Sequence, residues 1–411
     1  MKRAQLESNV LVLVTLALTA FGLVMVYSAT SARAVDGNGQ PMYYLTRQAL
    51  FAGIGLVALI VAARTPYDFW RRVSPSLVLV SLLMLAGVLL VGQSVNGARR
   101  WVSLGSFAVQ PSEIAKLALA AWVAALLARR PTPRSFAELG KPLGIVAGIA
   151  CVLVLVEPDL GTAISIVVML GAILVVAGLP SGLLARTFGI VVALGALSIW
   201  IEPYRRARLF SFLNPWHDAQ GAGFQVVQAM IGLGSGGIFG VGIGHGVVKT
   251  FDLPEAHTDM IFATIGEELG LVGTAGVILA YAAFGWAGFR IALACKDPFG
   301  KLLAVGITVL VCGQAAINLA AVMAIAPLTG ITLPFVSYGG SSLIAALCGV
   351  GILLNIGSAD AAEGRARVRD RSRGDRRPRA AVARDRRVAE RPRSSGDLRR
   401  VAGSGRSAAR S

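Results

Sequence analysis

Three ionisable side chains, Glu255, His257 and Asp259, fall within Leu253-Pro-Glu-Ala-His-Thr-Asp-Met-Ile-Phe262, at the mouth of a long apolar run of this 411-residue sequence. A helix entered through Pro254 would put Glu255 and Asp259 at i and i+4, on one face. Asp259 would then sit one turn inside, partly desolvated, and burial raises a carboxyl pKa. Such a group suits a proton acceptor working near neutral pH. An acidic cluster at the positive end of a helix would use the same residues without chemistry. His257 stands two positions before Asp259. Glu267 and Glu268 follow deeper in the run, where charges need a partner or a cavity; structural pairing is the simpler expectation for both.

A second acid–base pair opens another apolar run, in Gln110-Pro-Ser-Glu-Ile-Ala-Lys116. Glu113 and Lys116 are at i, i+3 and share a face. They should pair with each other or line a polar cavity with Asp259. Ser112 suits the cap of that helix. Six cations, Arg99, Arg100, Arg205, Arg206, Arg208 and Lys249, fall in loops on the same side. Arginine binds phosphate bidentately, so these are candidates for an anionic substrate, with some serving as interfacial anchors. Trp101 beside Arg99 and Arg100 suits the membrane–water interface, or packing on a sugar or lipid.

Other patterns carry less. Gly232-Leu-Gly-Ser-Gly-Gly237 satisfies G-x-G-x-x-G, but no strand precedes it in a βαβ unit. Close backbone packing or loop mobility is the better account of its glycines. His217, His245 and His257 lack zinc spacing. Cys151, Cys295, Cys312 and Cys348 are scattered through apolar runs without metal-ligand spacing and read as small core residues.

These residues must be positioned by membrane spans. The chain is 55% hydrophobic and only 15% charged, with a mean hydropathy of +0.68. Apolar stretches recur roughly every 30 residues, one span plus a turn. They predict an all-α polytopic membrane protein with about ten spans, near 10–28, 47–63, 75–92, 113–128, 143–157, 161–178, 182–201, 258–288, 301–325 and 334–356. Glu157-Pro-Asp159 is predicted as a tight turn between two of them. Lys2, Arg3, Arg64, Arg71, Arg72, Arg129, Arg130, Arg134, Lys141, Arg186, Arg290, Lys296 and Lys301 cluster on one side, which the positive-inside bias makes cytoplasmic, together with both termini. The opposite side receives loops 29–46, 93–112 and 202–257. The last, between spans seven and eight, is too long for a connector and predicts short helices on or dipping into the outer face. Its arginines oppose the orientation bias, so an anionic ligand or a buried carboxylate should compensate them.

Residues 1–357 make the transmembrane domain and 358–411 a disordered tail with seventeen arginines against seven acids. More than half of the net charge of +17 lies in that tail, which argues against a nucleic-acid partner and for a solvated extension that meets membrane lipids at most. A transporter would also use many spans with buried charges, but this acid–base cluster lies at one surface rather than at the midplane, and no inverted repeat is evident. A pure scaffold leaves the partly buried charges unexplained.

Six ordered segments resemble the SEDS family of bacterial cell-envelope proteins: Asn96–Lys116, Glu157–Ala163, Phe212–Gln225, the glycine-rich loop, Leu253–Gly273 and Leu333–Ser342. The resemblance runs from the first span to about residue 356 and is closer to division-type members than to elongation or sporulation types. It implies a peptidoglycan glycosyltransferase that polymerises lipid II, an undecaprenyl-pyrophosphate-linked disaccharide-pentapeptide, outside the membrane at the division septum. It also implies a class B penicillin-binding transpeptidase and other division proteins as partners. The essential aspartate of the family falls on Asp259 and its polar-cavity residues on Glu113 and Lys116. Some members carry a lysine before the glycine of a Pro-x-x-Gly segment; here Pro327-Leu-Thr-Gly330 has Thr329, so that lysine's role is not carried over. A divalent cation, magnesium or manganese, is the one cofactor the chemistry leaves room for, although no dedicated metal cage is evident.

Overall fold

The computed structural model describes residues 2–35, 41–95, 98–104, 107–248, 253 and 255–374. Described residues up to Ala362 belong to one compact unit. Helices α1 (Lys2–Val35), α2 (Pro41–Arg64) and α3 (Tyr67–Val91) are followed by β1 (Gln93–Val95), β2 (Ala98–Leu104) and β3 (Phe107–Val109). Next come α4 (Pro111–Arg129), α5 (Phe136–Leu139), α6 (Ile145–Val156), α7 (Leu160–Val176), α8 (Ser181–Ile201), α9 (Pro203–Leu213) and α10 (Phe224–Ser235). The last three are α11 (Ile261–Ala294), α12 (Pro298–Val322) and α13 (Gly340–Gly374).

Nine helical segments among the described residues are long and apolar enough to cross a membrane. They account for nine of the expected spans, and the tenth, 161–178, is α7, 17 residues long. That is at the short limit for a span. The chain is thus a multi-pass membrane protein. α12 lies at the centre, packed on α4, α7 and α11, and α1 covers the far side of α11. At the end opposite the sheet, Arg290 of α11 reaches Glu7 of α1 at 3.4 Å. α8 stands nearly alone, with Leu183 its one buried residue. α13 continues to Gly374, beyond the expected boundary at 358, through an Ala- and Arg-rich sequence that favours helix.

The segment 93–109, expected as a loop, is instead an antiparallel sheet in the order β1-β2-β3, pairing Ser94 with Arg99 and Ser103 with Ala108. The helix expected to begin near Glu255 begins at Ile261, because 255–260 is a turn and Glu255 takes a φ of +56°. Pro254 lies outside the described residues.

The glycine-rich segment has a structural task. α11 breaks at Gly270, whose φ of 63° and ψ of −156° only glycine adopts readily. The break frees backbone groups that need partners inside a membrane. The loop after α10 supplies them: Val241 and Gly242 N–H donate to the Glu267 and Glu268 carbonyls at 3.0 Å each. In return Leu271 and Val272 N–H donate to the Gly237 and Ile238 carbonyls at 2.9 and 3.1 Å. A β-carbon at Gly240 would lie 2.1 Å from the Glu268 carbonyl oxygen, so the approach requires glycine. The Glu267 carboxylate accepts from Val247 N–H at 2.6 Å, and Ser28 of α1 donates to Glu268 at 2.7 Å. Both acids are therefore structural, as expected from their depth.

Candidate active site

Five segments meet at one end of the bundle: the sheet, the Glu157-Pro-Asp turn, α9, and the two turns that precede α11 and α13. Asp259 lies in the turn before α11 and is half-buried. Thr258 Oγ donates a hydrogen bond toward Glu255 Oε2 at 2.9 Å and lies 3.3 Å from Asp259 Oδ1, so one hydroxyl bridges two carboxylates. Burial, and then the nearby Glu255 charge, push the Asp259 carboxyl up to about 6, and Arg208 pulls against both. The expectation of a shared face for Glu255 and Asp259 fails in its helical form, yet the two carboxylates are still neighbours, brought together by the turn.

Arg208 is the cation of α9 that faces this turn. Its Nη1 donates to the Leu328 carbonyl at 3.2 Å, and its guanidinium lies 4.8 Å from the centre of the Tyr204 ring. Between it and Asp259 runs the backbone at Gly330, with φ +71°. A β-carbon there would lie 3.9 Å from both Arg208 Nη1 and Asp259 Oδ2, so cation and carboxylate flank this glycine. Asn318 of α12, which the sequence reading passed over, donates to the Asp259 carbonyl at 2.7 Å and to the Ile331 carbonyl at 2.8 Å.

The other cations divide by what they touch. Arg100 donates to the carbonyls of Glu157, at 2.9 Å, and Pro158. Arg205 donates to the Leu155 carbonyl at 2.5 Å and to Ser198 of α8. These two arginines thus satisfy carbonyls left open where α6 ends, which answers why positive charge is kept on this side. Arg99 is exposed and Trp101 half-buried; alternation along β2 puts both on the face opposite Arg100. Arg206 lies 5.9 Å from the Trp200 ring centre. Lys249 lies outside the described residues.

Glu157 was not singled out by sequence, although it opens the turn. Its carboxylate is fully buried, and neither oxygen has a hydrogen-bond partner among the described residues. Burial, with Asp159 adding to it and Arg100 opposing, pushes it up to about 8. Asp159 is held differently, capping α7 through Thr162 N at 3.0 Å and accepting from Gln110 Nε2 at 3.1 Å. The turn also packs on the Gly330 segment, since a β-carbon at Gly161 would lie 2.9 Å from the Thr329 carbonyl oxygen.

Glu113 and Lys116 pair at 2.8 Å, their side chains 9% and 1% exposed. They do not reach Asp259 directly. Glu113 borders a small cavity that also meets Gln314 of α12 and Ser342 of α13. Gln314 lies one helical turn from Asn318, so the pair connects to the Asp259 turn along one face of α12. His257 is buried against Tyr44 and Tyr338, with ring centres 4.9 and 5.6 Å away, and its carbonyl accepts from Tyr338 N–H at 2.9 Å. Among the described residues no cluster of three or more His, Cys, Asp or Glu side chains stands together to hold a metal ion, so no step is assigned to one.

Comparison with known proteins places this arrangement. The family model FTSW_RODA_SPOVE, described as cell cycle protein, matches residues 8–361. The chain is 40% identical to stage V sporulation protein E of Bacillus subtilis, over 84% of this chain and 95% of the relative. It is 41% identical to the probable peptidoglycan glycosyltransferase FtsW of Trichlorobacter lovleyi, over 84% and 92%. Among solved structures, a chain of a peptidoglycan synthase complex aligns with a TM-score of 0.71 at 32% identity, covering 85% of this chain and 97% of that one. The rod shape determining protein RodA of Thermus thermophilus aligns at 0.61 and 30% identity, covering 85% and 95%.

Proposed function

The chain belongs to the FTSW_RODA_SPOVE family of cell cycle proteins, and from that premise we propose how its site works. It is a peptidoglycan glycosyltransferase of the division type, which polymerises lipid II into glycan strands at the outer face of the membrane. The observation that carries the chemistry is the Asp259 carboxylate, raised to about 6 beside a cation and held by its backbone from α12. A base with that value is mostly ionised at neutral pH yet still basic enough to accept a proton.

Asp259 takes the proton of the acceptor sugar's 4-hydroxyl. The oxygen attacks the donor's anomeric carbon as the bond from that carbon to the pyrophosphate oxygen breaks, and lipid pyrophosphate leaves with inversion. Arg208 is the cation best placed for the charge that develops on the leaving group, since it flanks the same glycine as Asp259. Arg99, exposed on β2, and Arg206 can meet headgroups or the donor. Arg100 and Arg205 are committed to backbone carbonyls and build the site rather than bind in it. Glu113 and Lys116 keep a charged, hydrogen-bonded floor beneath it. The lipid II flippase and the elongation-type role are the competing readings; a flippase does not explain why the raised carboxyl sits at the surface end of the bundle, and the elongation-type role would use the same chemistry.

The enzyme acts with a class B penicillin-binding transpeptidase among other division proteins, in the plasma membrane at the septum with both termini in the cytoplasm. The basic tail adds contact with anionic lipid. The deciding experiment is lipid II polymerisation by the purified chain with its transpeptidase, comparing wild type with Asp259→Ala and Asp259→Asn. Strands from wild type and none from folded, partner-bound variants are expected. Strands from the variants would remove Asp259 from catalysis, and strands from neither protein would leave transport as the function to test.

A further inference from the structure

Asn318 is a polar residue in the last turns of the apolar helix α12, and it is 2% exposed. A buried amide costs stability unless it is hydrogen-bonded. Its Nδ2 spends both protons on backbone carbonyls from two different loops, Asp259 at 2.7 Å and Ile331 at 2.8 Å. Its Oδ1 has no partner among the described residues, so of the bonds described there the side chain is fixed by its donors. Only a primary amide offers two N–H protons on one uncharged nitrogen. An ammonium would bring a buried charge, and a hydroxyl only one proton.

The two carbonyls belong to the two halves of the site. One is that of Asp259 itself. The other is Ile331, next to Gly330, whose segment is tied at its other end by Arg208 on the Leu328 carbonyl at 3.2 Å. The stretch 328–331 is therefore a short spacer, anchored by Arg208 at one end and Asn318 at the other, with Asp259 hung from the same amide.

We propose that Asn318 is a positioning residue of this site, fixing the separation of the Asp259 carboxylate and the Arg208 guanidinium by clamping the backbones that carry them. This rests on the glycosyltransferase reading. The charged groups facing Asp259 are Glu255 on its own turn and Arg208 on α9. α12 presents the neutral Asn318, and residues 327–331 contain no ionisable side chain. A looser clamp therefore weakens one specific interaction, the pull of Arg208 on Asp259, while Glu255 stays attached to the same turn.

The test uses Asn318→Leu, which keeps the branched outline and removes both donors, and Asn318→Asp, which keeps the shape and turns an oxygen toward both carbonyls. Lipid II polymerisation is followed as a function of concentration and pH, with the chain purified together with its transpeptidase. Misplacing a reacting group by an ångström costs on the order of 100-fold, so kcat should fall by about that factor while KM changes by less than about threefold. The acid limb of the profile should move to higher pH as Arg208 loses its hold. A fall in amplitude with an unmoved limb would make Asn318 structural and overturn the proposal, as would unchanged kinetics. Failure of both variants to fold with the partner would do the same. Absence of strands from the wild type would instead remove the glycosyltransferase reading, and the positioning role with it.

Discussion

Breaking the Glu113–Lys116 pair separates a structural role from a chemical one. The ammonium and carboxylate are 2.8 Å apart, with side chains 1% and 9% exposed. Lys116→Met leaves Glu113 beside a cavity whose other polar side chains are Gln314 and Ser342. Removing one partner of a buried pair costs about 3–5 kcal/mol, because the remaining charge is uncompensated. At about 2–4 °C per kcal/mol, the melting temperature should fall on the order of 10 °C. Adding Glu113→Gln removes the stranded charge, and the double variant should regain at least half of the lost stability, since a hydrophobic and neutral replacement of a buried pair is often nearly neutral. The assay is a double-mutant cycle of thermal unfolding in one detergent, with polymerisation measured on the same four proteins. If the two single losses simply add in the double variant, the damage is to packing and the charge argument is wrong. If stability returns and polymerisation does not, the pair serves the chemistry; recovery of both would make it scaffolding.

Other outcomes follow from single residues. Asp259 has to be ionised to act as base, so polymerisation should rise with pH through about 6 and be lost below it; a rate unchanged between pH 5 and 7 would exclude it. The Glu157 carboxyl is raised from 4.5 to about 8, so the folded state holds a proton that the unfolded state releases across that window. Stability should therefore fall as pH rises from about 5 to 8, and Glu157→Gln should flatten the decline in thermal melts. Gly270→Ala forces a side chain into a glycine-only conformation, with its β-carbon 2.5 Å from the Gly240 nitrogen. It should cost at least about 1–3 kcal/mol and loosen the 237–242 loop, seen as faster amide exchange there. Arg100→Ala should lower stability by leaving the carbonyls of Glu157 and Pro158 open, whereas Arg99→Ala should leave the melt unchanged.

The sequence made the spans legible because each needs a long apolar run and little else. Even the 17-residue α7 was marked by the Glu157-Pro-Asp159 turn before it. Asp259 was legible because a charge at the mouth of such a run is conspicuous. The sheet at 93–109 was missed although its signal was present: Asn96-Gly97 between short β-prone runs is the commonest hairpin pattern. The start of α11 was misplaced by six residues because Pro254 reads as a helix entry, whereas Glu255 takes a positive φ and its carbonyl closes a turn with Thr258 and Met260 N–H.

What stayed hidden has a common physical cause. The partners of Arg100, Arg205, Arg208 and Asn318 are backbone carbonyls, and a carbonyl has no letter in a sequence. Arg100 and Arg205 close the end of α6, where orphan acceptors must find donors in any case, and Arg208 holds the Leu328 carbonyl. Arg100 and Arg208 also stand near the Glu157 and Asp259 carboxyls, buried acids of the kind expected to compensate them. Asn318 did leave a sequence trace, since Gln314 and Asn318 put two amides on one face of an apolar span. Polar residues in that setting are expensive and pair inward. The same reasoning that singled out Glu113 and Lys116 thus leads along α12 to the base: a line of buried polar groups has one end in a salt bridge and the other on the carbonyl of Asp259. The proposed base thus has its backbone held from α12 and its carboxylate held within its own turn by Thr258. The rate should therefore be more sensitive to neutral substitutions in α12 than to charge reversals at exposed arginines.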